Sequence, residues 1–448
     1  MMIKDRAFYK NFFSMWIVLV MQSIVTLSVN LADNIMLGAY SEAALSGVAA
    51  VNQVQFVYQQ ALTAIGEGVV ILATQYYGKK QTGPIRALSS IGMHAALAVA
   101  GLLFCLVSVF PRQILGLFVT EWEIIGQGAE YMELIRFTYL FFAITQLLLA
   151  VLRSIGVVHI ALLLSISTLV INCVINYTLI YGHFGAPRLG VTGAAIGTLA
   201  ARMAELAILV FYFWKREKKL CLHLRDFFHT DASLRRDYIR VALPLLAVNG
   251  LWGVNSATQN AILGHMDDSA IAANSVASTL FLMVKSTGTG SASAASFFIG
   301  KTIGEGNEKG LAALARTLQL LFAGIGVMAG VCLYFLRIPV LSLYKLGPET
   351  MAMADAFLVI LSAVCVGMSY QMPVNLGIIR GGGDTKFVMK MDLISIWGIV
   401  IPLSFFMAFV VKASPVAVVC CLNADQIFKC VPAFVKCNFG HWAKKLTR

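Results

Sequence analysis

The chain has 448 residues, of which 59% are hydrophobic and only 12% are charged, and its mean hydropathy is +0.79. This composition excludes a water-soluble globular protein of ordinary make-up and indicates an integral membrane protein. The net charge of +12 does not predict a nucleic-acid partner, because no segment between the apolar runs is long enough to form a domain of its own.

Twelve apolar runs follow one another along the chain, and each is long enough to cross roughly 30 Å of hydrocarbon as a helix. The first run is too long, and too polar at its far end, for a cleavable signal peptide, so we expect it to be retained. The sequence therefore predicts an all-α integral membrane protein with twelve transmembrane helices. Their predicted spans are 12–36, 44–74, 87–110, 125–150, 157–181, 188–214, 237–264, 271–300, 311–336, 350–379, 386–411 and 413–435.

Basic residues are distributed unevenly among the loops that join these runs. When alternate loops are assigned to two sides, most of the 34 Lys and Arg residues fall on the side that holds both termini and the polar segment 215–240. By the positive-inside rule this side is the cytoplasm. The nine cysteines lie mostly in apolar runs and form no disulfide framework, so they are interpreted as small hydrophobic residues.

The sequence repeats itself weakly, with three pairs of similar segments in the same order and at a nearly constant separation. They are NIMLGAYSEAAL and NAILGHMDDSAI, QYYGKK and FFIGKT, and LRSIG and IRGGG. Because each half then has six helices, an even number, both halves enter the membrane from the same side and form parallel repeats around a central cleft. Alternatively, the duplication reflects only the evolutionary history of the chain and has no role in its function. The predicted domains are an N-terminal six-helix lobe of residues 1–214, a cytoplasmic linker of 215–240 and a C-terminal six-helix lobe of 241–448.

Some polar residues of one half have no polar counterpart in the other half, so the helical fold itself does not require them. Asp33 corresponds to Gln259, while Asn172 and Asn176, which lie on one helix face, correspond to apolar residues. From the rise per residue, Asp33 and Asn176 lie in one layer near the outer end of their helices, and Asn172 and Thr198 lie deeper. We therefore expect a carboxylate, two amides and a hydroxyl to face one pocket in the N-terminal half.

These groups are compatible with two kinds of ion coupling. Carboxylate, amide and hydroxyl oxygens are ligands for a hard cation such as Na⁺. Alternatively, Asp33 alone could take up a proton on one side of the membrane and release it on the other. A plainer alternative is a hydrogen-bonded carboxylate near the interface, but ionisable groups inside membrane helices are costly and commonly functional.

Glu67 and Lys285 are two further charged residues within apolar runs. The repeat places them at similar depth on helices expected to face each other across the cleft, where an ion pair would form a cytoplasmic gate. Alternatively, Glu67 and Lys285 do not pair, and each lines a water-filled space on its own.

Several other polar residues lie within predicted helices. Asp392 and Asp425 could form a second site for a proton or a cationic drug, or could simply bond neighbouring helices. Gln53, Gln146 and Tyr139 could line the cleft, where an aromatic ring would attract flat cations.

Four motifs together resemble the multidrug and toxic compound extrusion (MATE) family, bacterial type, over nearly the whole chain: ADNIMLG, ATQYYGKK, INYTLIYGHFGAPRLGVTGAAIGT and IIRGGGDTKF. The resemblance implies two six-helix lobes and antiport of an organic cation or amphipathic drug against H⁺ or Na⁺. It also implies that Asp33, Asn172 and Thr198 form the coupling-cation site, and the Na⁺ ligands if sodium is used. Asn176 is a departure, because related members often have a second acid there. One carboxylate instead of two makes proton coupling at least as plausible as sodium coupling.

The resulting prediction is a multi-pass antiporter of the cell (inner or plasma) membrane that acts as a monomer, with lipid around it and no cofactor besides the coupling ion. A flippase for a lipid-linked precursor is the first alternative, although it should need a more basic cavity than Lys285 alone supplies. A membrane-embedded enzyme or a receptor is the second. An enzyme should place His, Cys or paired acids within the helices, yet none of the seven histidines is clearly in the middle of one.

Overall fold

A computed structural model describes residues 3–228, 231–266, 268–342 and 347–447. Within these residues the chain is mostly helical and contains no strand. Twelve long helices lie in the described part of the chain and are labelled α1 to α12 in chain order. Their bounds are Arg6–Tyr40, Glu42–Gly78, Thr82–Val109, Trp122–Ser154, His159–Tyr181, Gly190–Lys215, Ala232–Gly264, Asp268–Gly304, Glu308–Leu341, Pro348–Ile379, Thr385–Val410 and Pro415–Phe439.

Ten of these helices, counted over the described residues, are long and apolar enough to cross a membrane. The other two, α7 and α8, have membrane-spanning length but carry polar runs such as NGLWGVNSATQN and KSTGTGSASAAS. All twelve follow the predicted apolar runs in order. The predicted fold class, an all-α membrane protein of twelve helices in two six-helix repeats, is therefore confirmed.

Backbone packing divides the chain into two compact units. The N-terminal unit consists of Met21–Ala73 and Lys80–Leu246, and the C-terminal unit consists of Met1–Val20, Thr74–Lys79 and Ala247–Arg448. The predicted lobes and linker, with bounds at 214 and 241, stay a prediction, because compact packing does not test which parts fold as independent lobes. Residues 1 and 448, their outer bounds, lie outside the described residues.

Helices α5 and α6 of the N-terminal unit pack closely on each other. Helix α5 ends where Gly182 takes a left-handed φ of 77° and its N–H bonds to the carbonyl of Thr178. A methyl group at Gly193 of α6 would lie 2.8 Å from the carbonyl of Leu179 of α5. Small residues thus let the two backbones approach, which brings the side chains of α5 against α6.

The segment between α6 and α7 is packed rather than extended. Nε of Arg86 donates a hydrogen bond of 2.7 Å to the carbonyl of Leu220, and the hydroxyl of Ser90 donates one of 2.8 Å to the carbonyl of Phe227. Both donors belong to α3, so this polar segment covers one end of that helix within the N-terminal unit.

The last three helices of the C-terminal unit are irregular. Helix α10 passes into a wider π-helical segment, Val374–Ile379, directly after Pro373. Proline lacks the N–H that an α-helix needs, and such wider turns occur often at functional sites. Helix α11 contains two further π-helical segments, and α12 is divided at Asn423 and again at Lys429.

Residues after α12 fold back on the same unit. The backbone N–H of Lys444 donates to the carbonyl of Gly382, in the turn before α11, at 2.8 Å. The side-chain amide of Gln75, near the end of α2, exchanges two hydrogen bonds with the backbone of Lys444 and Leu446. The tail therefore joins the end of α2 to the turn between α10 and α11.

Candidate functional site

A chain of hydrogen bonds starts at Asp33 of α1 in the N-terminal unit. The side-chain amide of Asn176 donates to Oδ1 of Asp33 at 2.6 Å and to Oδ1 of Asn172 at 3.2 Å. Both asparagines lie on α5 four residues apart, so one helix face presents them together. The structure thus brings the predicted carboxylate and the two predicted amides into one cluster.

Thr198 of α6 completes this cluster. The side-chain amide of Asn172 donates to the hydroxyl of Thr198 at 3.3 Å. Asn172 and Asn176 are fully buried, while Asp33 and Thr198 are half-buried. Asp33 and Thr198, the two ends of this series of hydrogen bonds, are therefore its partly exposed members.

One acceptor in the cluster is unused. Oδ1 of Asn176 is buried and has no hydrogen-bond partner among the described residues. It lies against the backbone of α6, because a methyl group built at Gly197 would come within 2.1 Å of it. A buried oxygen without a donor is costly, and a proton donor or a cation could satisfy it. The groups that could hold Na⁺ here are Asp33, Asn172, Asn176 and Thr198.

The structure adds two neighbours that the sequence did not predict. Tyr131 of α4 is buried and lies near Thr198 and Asp33, on both of which it acts electrostatically. Arg202 of α6 also acts electrostatically on Asp33, and its Nη1 bonds to Glu205 at 2.8 Å. Arg202 follows Thr198 by one helical turn, a spacing that could have identified it.

Glu67 of α2 has a partner within the N-terminal unit. Its Oε1 accepts a hydrogen bond of 2.6 Å from Nη2 of Arg153 at the end of α4, and Glu67 is buried. Lys285 of α8, in the C-terminal unit, has its Nζ 4.5 Å from the centroid of the Trp252 ring. The gate between Glu67 and Lys285 stays a prediction.

Asp392 and Asp425 are brought together in the C-terminal unit by a residue that the sequence analysis did not identify. Nζ of Lys429 lies 2.8 Å from Oδ1 of Asp392 and 3.0 Å from Oδ2 of Asp425. Lys429 follows Asp425 by four residues, so the sequence contained a signal for this pair. The side-chain amides of Gln426, Gln371 and Asn375 extend the network by hydrogen bonds of 2.8–3.0 Å.

The remaining predicted residues lie in different surroundings. Gln53 is exposed and Gln146 is half-buried. Tyr139 is fully buried; its carbonyl accepts a hydrogen bond of 2.6 Å from the hydroxyl of Tyr58, and its own hydroxyl has no partner in the described part of the chain. Whether these three contact a substrate stays a prediction.

A family model described as MatE matches residues 19–178 and 244–406. The probable multidrug resistance protein NorM of Thermotoga maritima is 24% identical over 437 residues, which cover 95% of this chain and 92% of that protein. The probable multidrug resistance protein YoeA of Bacillus subtilis is 26% identical over 358 residues, which cover 78% of this chain and 75% of that protein.

Several solved structures have a similar fold. The crystal structure of MATE in complex with MaL6 superposes with a TM-score of 0.87 at 15% identity, and covers 96% of this chain and 95% of that one. The crystal structure of the Vibrio cholerae MATE transporter VcmN in the bent form gives a TM-score of 0.86 at 15% identity, with 96% of each chain covered. At such low identity these likenesses concern the fold alone.

Proposed function

Because this chain belongs to the MatE family and is a multi-pass membrane protein, we propose that it is a secondary active antiporter that exports organic cations or amphipathic drugs in exchange for H⁺. Its relatives named as multidrug resistance proteins support the class of substrate. The proposal includes the cell (inner or plasma) membrane as its location, cytoplasmic termini and a monomer as the working unit.

The observation that carries the coupling proposal is the hydrogen bond between Asn176 and Asp33. A carboxylate held by one amide N–H can be neutralised by a single proton, with no need for further ligands. Protonation replaces a charge by a neutral group, and this weakens the bond that Asn176 donates. Loss or gain of one proton would thereby change how α1 is held against α5.

Na⁺ is the second candidate ion, and the unused Oδ1 of Asn176 favours it. Two features weigh against it. Arg202 places a positive charge near Asp33, and Asp33 is the one carboxylate in the hydrogen-bonded chain that ends at Thr198.

The test is accumulation of a fluorescent organic cation in everted vesicles under an imposed gradient of H⁺ or of Na⁺. We expect an acid interior to drive accumulation by the wild type, and Asp33→Asn to reduce it to the level of vesicles that lack the protein. Glu42→Gln, which removes an exposed acid from the first turn of α2, is the matched control and should pump normally. Normal pumping by Asp33→Asn would refute the coupling role, and accumulation driven by Na⁺ alone would replace H⁺ by Na⁺.

A further inference from the structure

Helix α6 has an exposed apolar face in the N-terminal unit. Its exposed residues are Met203, Ala207, Val210, Phe211 and Trp214. Their spacing places them on one side of the helix, and Trp214, next to its end, is 79% exposed. With Phe141 of α4 they line a groove of about 490 Å³, and every residue that lines it is apolar. Because α6 is long and apolar enough to span the membrane, hydrocarbon chains can reach this groove.

The groove has a positive charge at one end. Nζ of Lys215, the last residue of α6, lies 5.0 Å from the centroid of the Phe211 ring and 5.7 Å from the centroid of the Trp214 ring. The ammonium therefore stands beside two of the rings that line the groove. Ring faces attract a cation but offer its three N–H donors no oxygen acceptor. An anionic group at this point would gain charge-assisted hydrogen bonds.

The chain directly after the groove extends this positive charge. Residues 215–219, KREKK, include four basic side chains and one acid, Glu217. Glu217 is buried, and its Oε1 accepts hydrogen bonds of 2.7 Å from two backbone N–H groups of the same turn. Lys215, Arg216 and Lys218 are exposed. The acid is thus turned inward, and the exposed surface at the end of the groove is basic.

This combination matches the two parts of an anionic phospholipid. The apolar groove offers space to an acyl chain, and the basic residues lie where the apolar helix passes into a polar segment, which is the depth of the headgroups. A zwitterionic lipid would bring its own cationic group to the same lysines and arginine, so it gains less from them. A membrane helix of a second copy could fill the groove, but it would leave the basic end without a partner unless it carried an acid there.

We propose that the groove on α6, together with Lys215 and Arg216, binds one anionic phospholipid of the surrounding bilayer. One acyl chain lies along the groove, and the phosphate accepts hydrogen bonds from the ammonium and the guanidinium. The inference does not depend on the proposed function, since it requires only that α6 spans the membrane. It assigns a lipid site to an outer face of α6, apart from the cluster around Asp33.

The test is lipid binding to the purified full chain, measured by native mass spectrometry from a neutral detergent. Phosphatidylglycerol and phosphatidylcholine with identical acyl chains are titrated, and the dissociation constant of the first bound lipid is determined. We expect the wild type to prefer phosphatidylglycerol. The double variant Lys215→Gln, Arg216→Gln should weaken phosphatidylglycerol by about tenfold, because two positive charges are lost, and leave phosphatidylcholine unchanged. The double variant Lys215→Arg, Arg216→Lys should keep the preference.

Two matched pairs of variants separate the groove from general effects. Lys309→Gln removes an exposed lysine from the first turn of α9 and should change neither lipid. Ala207→Leu fills the groove and should weaken phosphatidylglycerol, whereas Ala98→Leu, at an exposed alanine of α3 away from the groove, should not.

Three outcomes would overturn the proposal. The first is equal affinity of the wild type for both lipids. The second is unchanged affinity for phosphatidylglycerol after the loss of both charges or after Ala207→Leu. The third is a dimer in the same spectra that Ala207→Leu dissociates, because the groove would then hold a second copy of the chain. Binding is measured without an ion gradient, so failure of the Asp33 coupling would leave this result intact.

Discussion

At the scale of single residues, the contact between Gly197 and Asn176 limits what the site can accept. A methyl group at Gly197 would lie 2.1 Å from Oδ1 of Asn176, so Gly197→Ala must displace the amide that binds Asp33. We expect a loss of about 1–3 kcal/mol in the free energy of unfolding, as for other overpacked sites, together with loss of gradient-driven transport. Thermal unfolding in nanodiscs and vesicle accumulation measure the two effects.

Gly101→Ala in α3 is the matched control for this variant. A methyl group there meets nothing within 4 Å, so the substitution should leave transport unchanged and stabilise the helix by about 0.5–1 kcal/mol. Wild-type stability and transport in Gly197→Ala would show that the close contact between α5 and α6 is not needed for the cluster.

The sequence predicted those members of the site that follow a simple spacing or differ between the repeats. Asn172 and Asn176 follow from the helical period, and Asp33 follows from its apolar environment and its counterpart Gln259. Tyr131 gave no signal, because an aromatic residue in a membrane helix fits equally well against lipid or in the interior. The orphaned oxygen of Asn176 depends on the distance between two backbones, which residue patterns do not encode.

At the scale of helices, the pair of Glu67 and Arg153 joins α2 to α4 within the N-terminal unit. The Glu67 side chain is 9% exposed and that of Arg153 is 23% exposed, so the loss of one partner removes a charge-assisted hydrogen bond from a poorly hydrated position. We expect Glu67→Gln and Arg153→Gln each to lower the free energy of unfolding by about 1–3 kcal/mol, less than for a fully buried pair. The double variant should cost less than the sum of both, measured by thermal unfolding in a double-mutant cycle. Additive losses would show that the two side chains do not stabilise each other.

The sequence predicted the spans of all twelve helices, but not the irregularities within the last three of them. Runs of apolar residues indicate α1 to α6 because each run alone is long enough to span the membrane. The division of α12 at Asn423 depends on a local competition, since the side-chain amide of this residue donates to the carbonyl of Val419, one turn earlier. Hydropathy averages over such a site and therefore predicts one continuous span.

At the scale of the whole molecule, the repeat and the apolar runs predicted the twelve-helix architecture, but not which segments pack together. The first twenty residues and Thr74–Lys79 belong to the C-terminal unit although they precede it in sequence. Tail contacts help to explain the second segment, because Gln75 bonds to the backbone of Lys444 and Leu446. Such contacts join residues far apart in the chain, and no periodic pattern signals them.

Asp384, in the turn outside the membrane between α10 and α11, fixes this tail by charge. Nζ of Lys444 donates to its Oδ1 at 2.7 Å, and Nζ of Lys436 lies 3.0 Å from its Oδ2. Burial opposes ionisation of Asp384, but these two hydrogen bonds and the charges of both lysines outweigh it. The pKa of the carboxyl therefore lies below its ordinary value of 3.8.

This shift predicts how the stability of the C-terminal unit depends on pH. Because the pKa of Asp384 is lower in the folded state, its carboxylate stabilises the fold at pH values above 3.8, and this contribution is lost as the pH falls further through the folded-state value. We therefore expect Asp384→Asn to lower the unfolding temperature at pH 5–8, and the difference from the wild type to shrink below the ordinary pKa. Glu349→Gln, at an exposed acid in the first turn of α10, is the control and should show no such dependence. A difference that stayed constant down to low pH would show that Asp384 supports the tail through its shape and not through its charge.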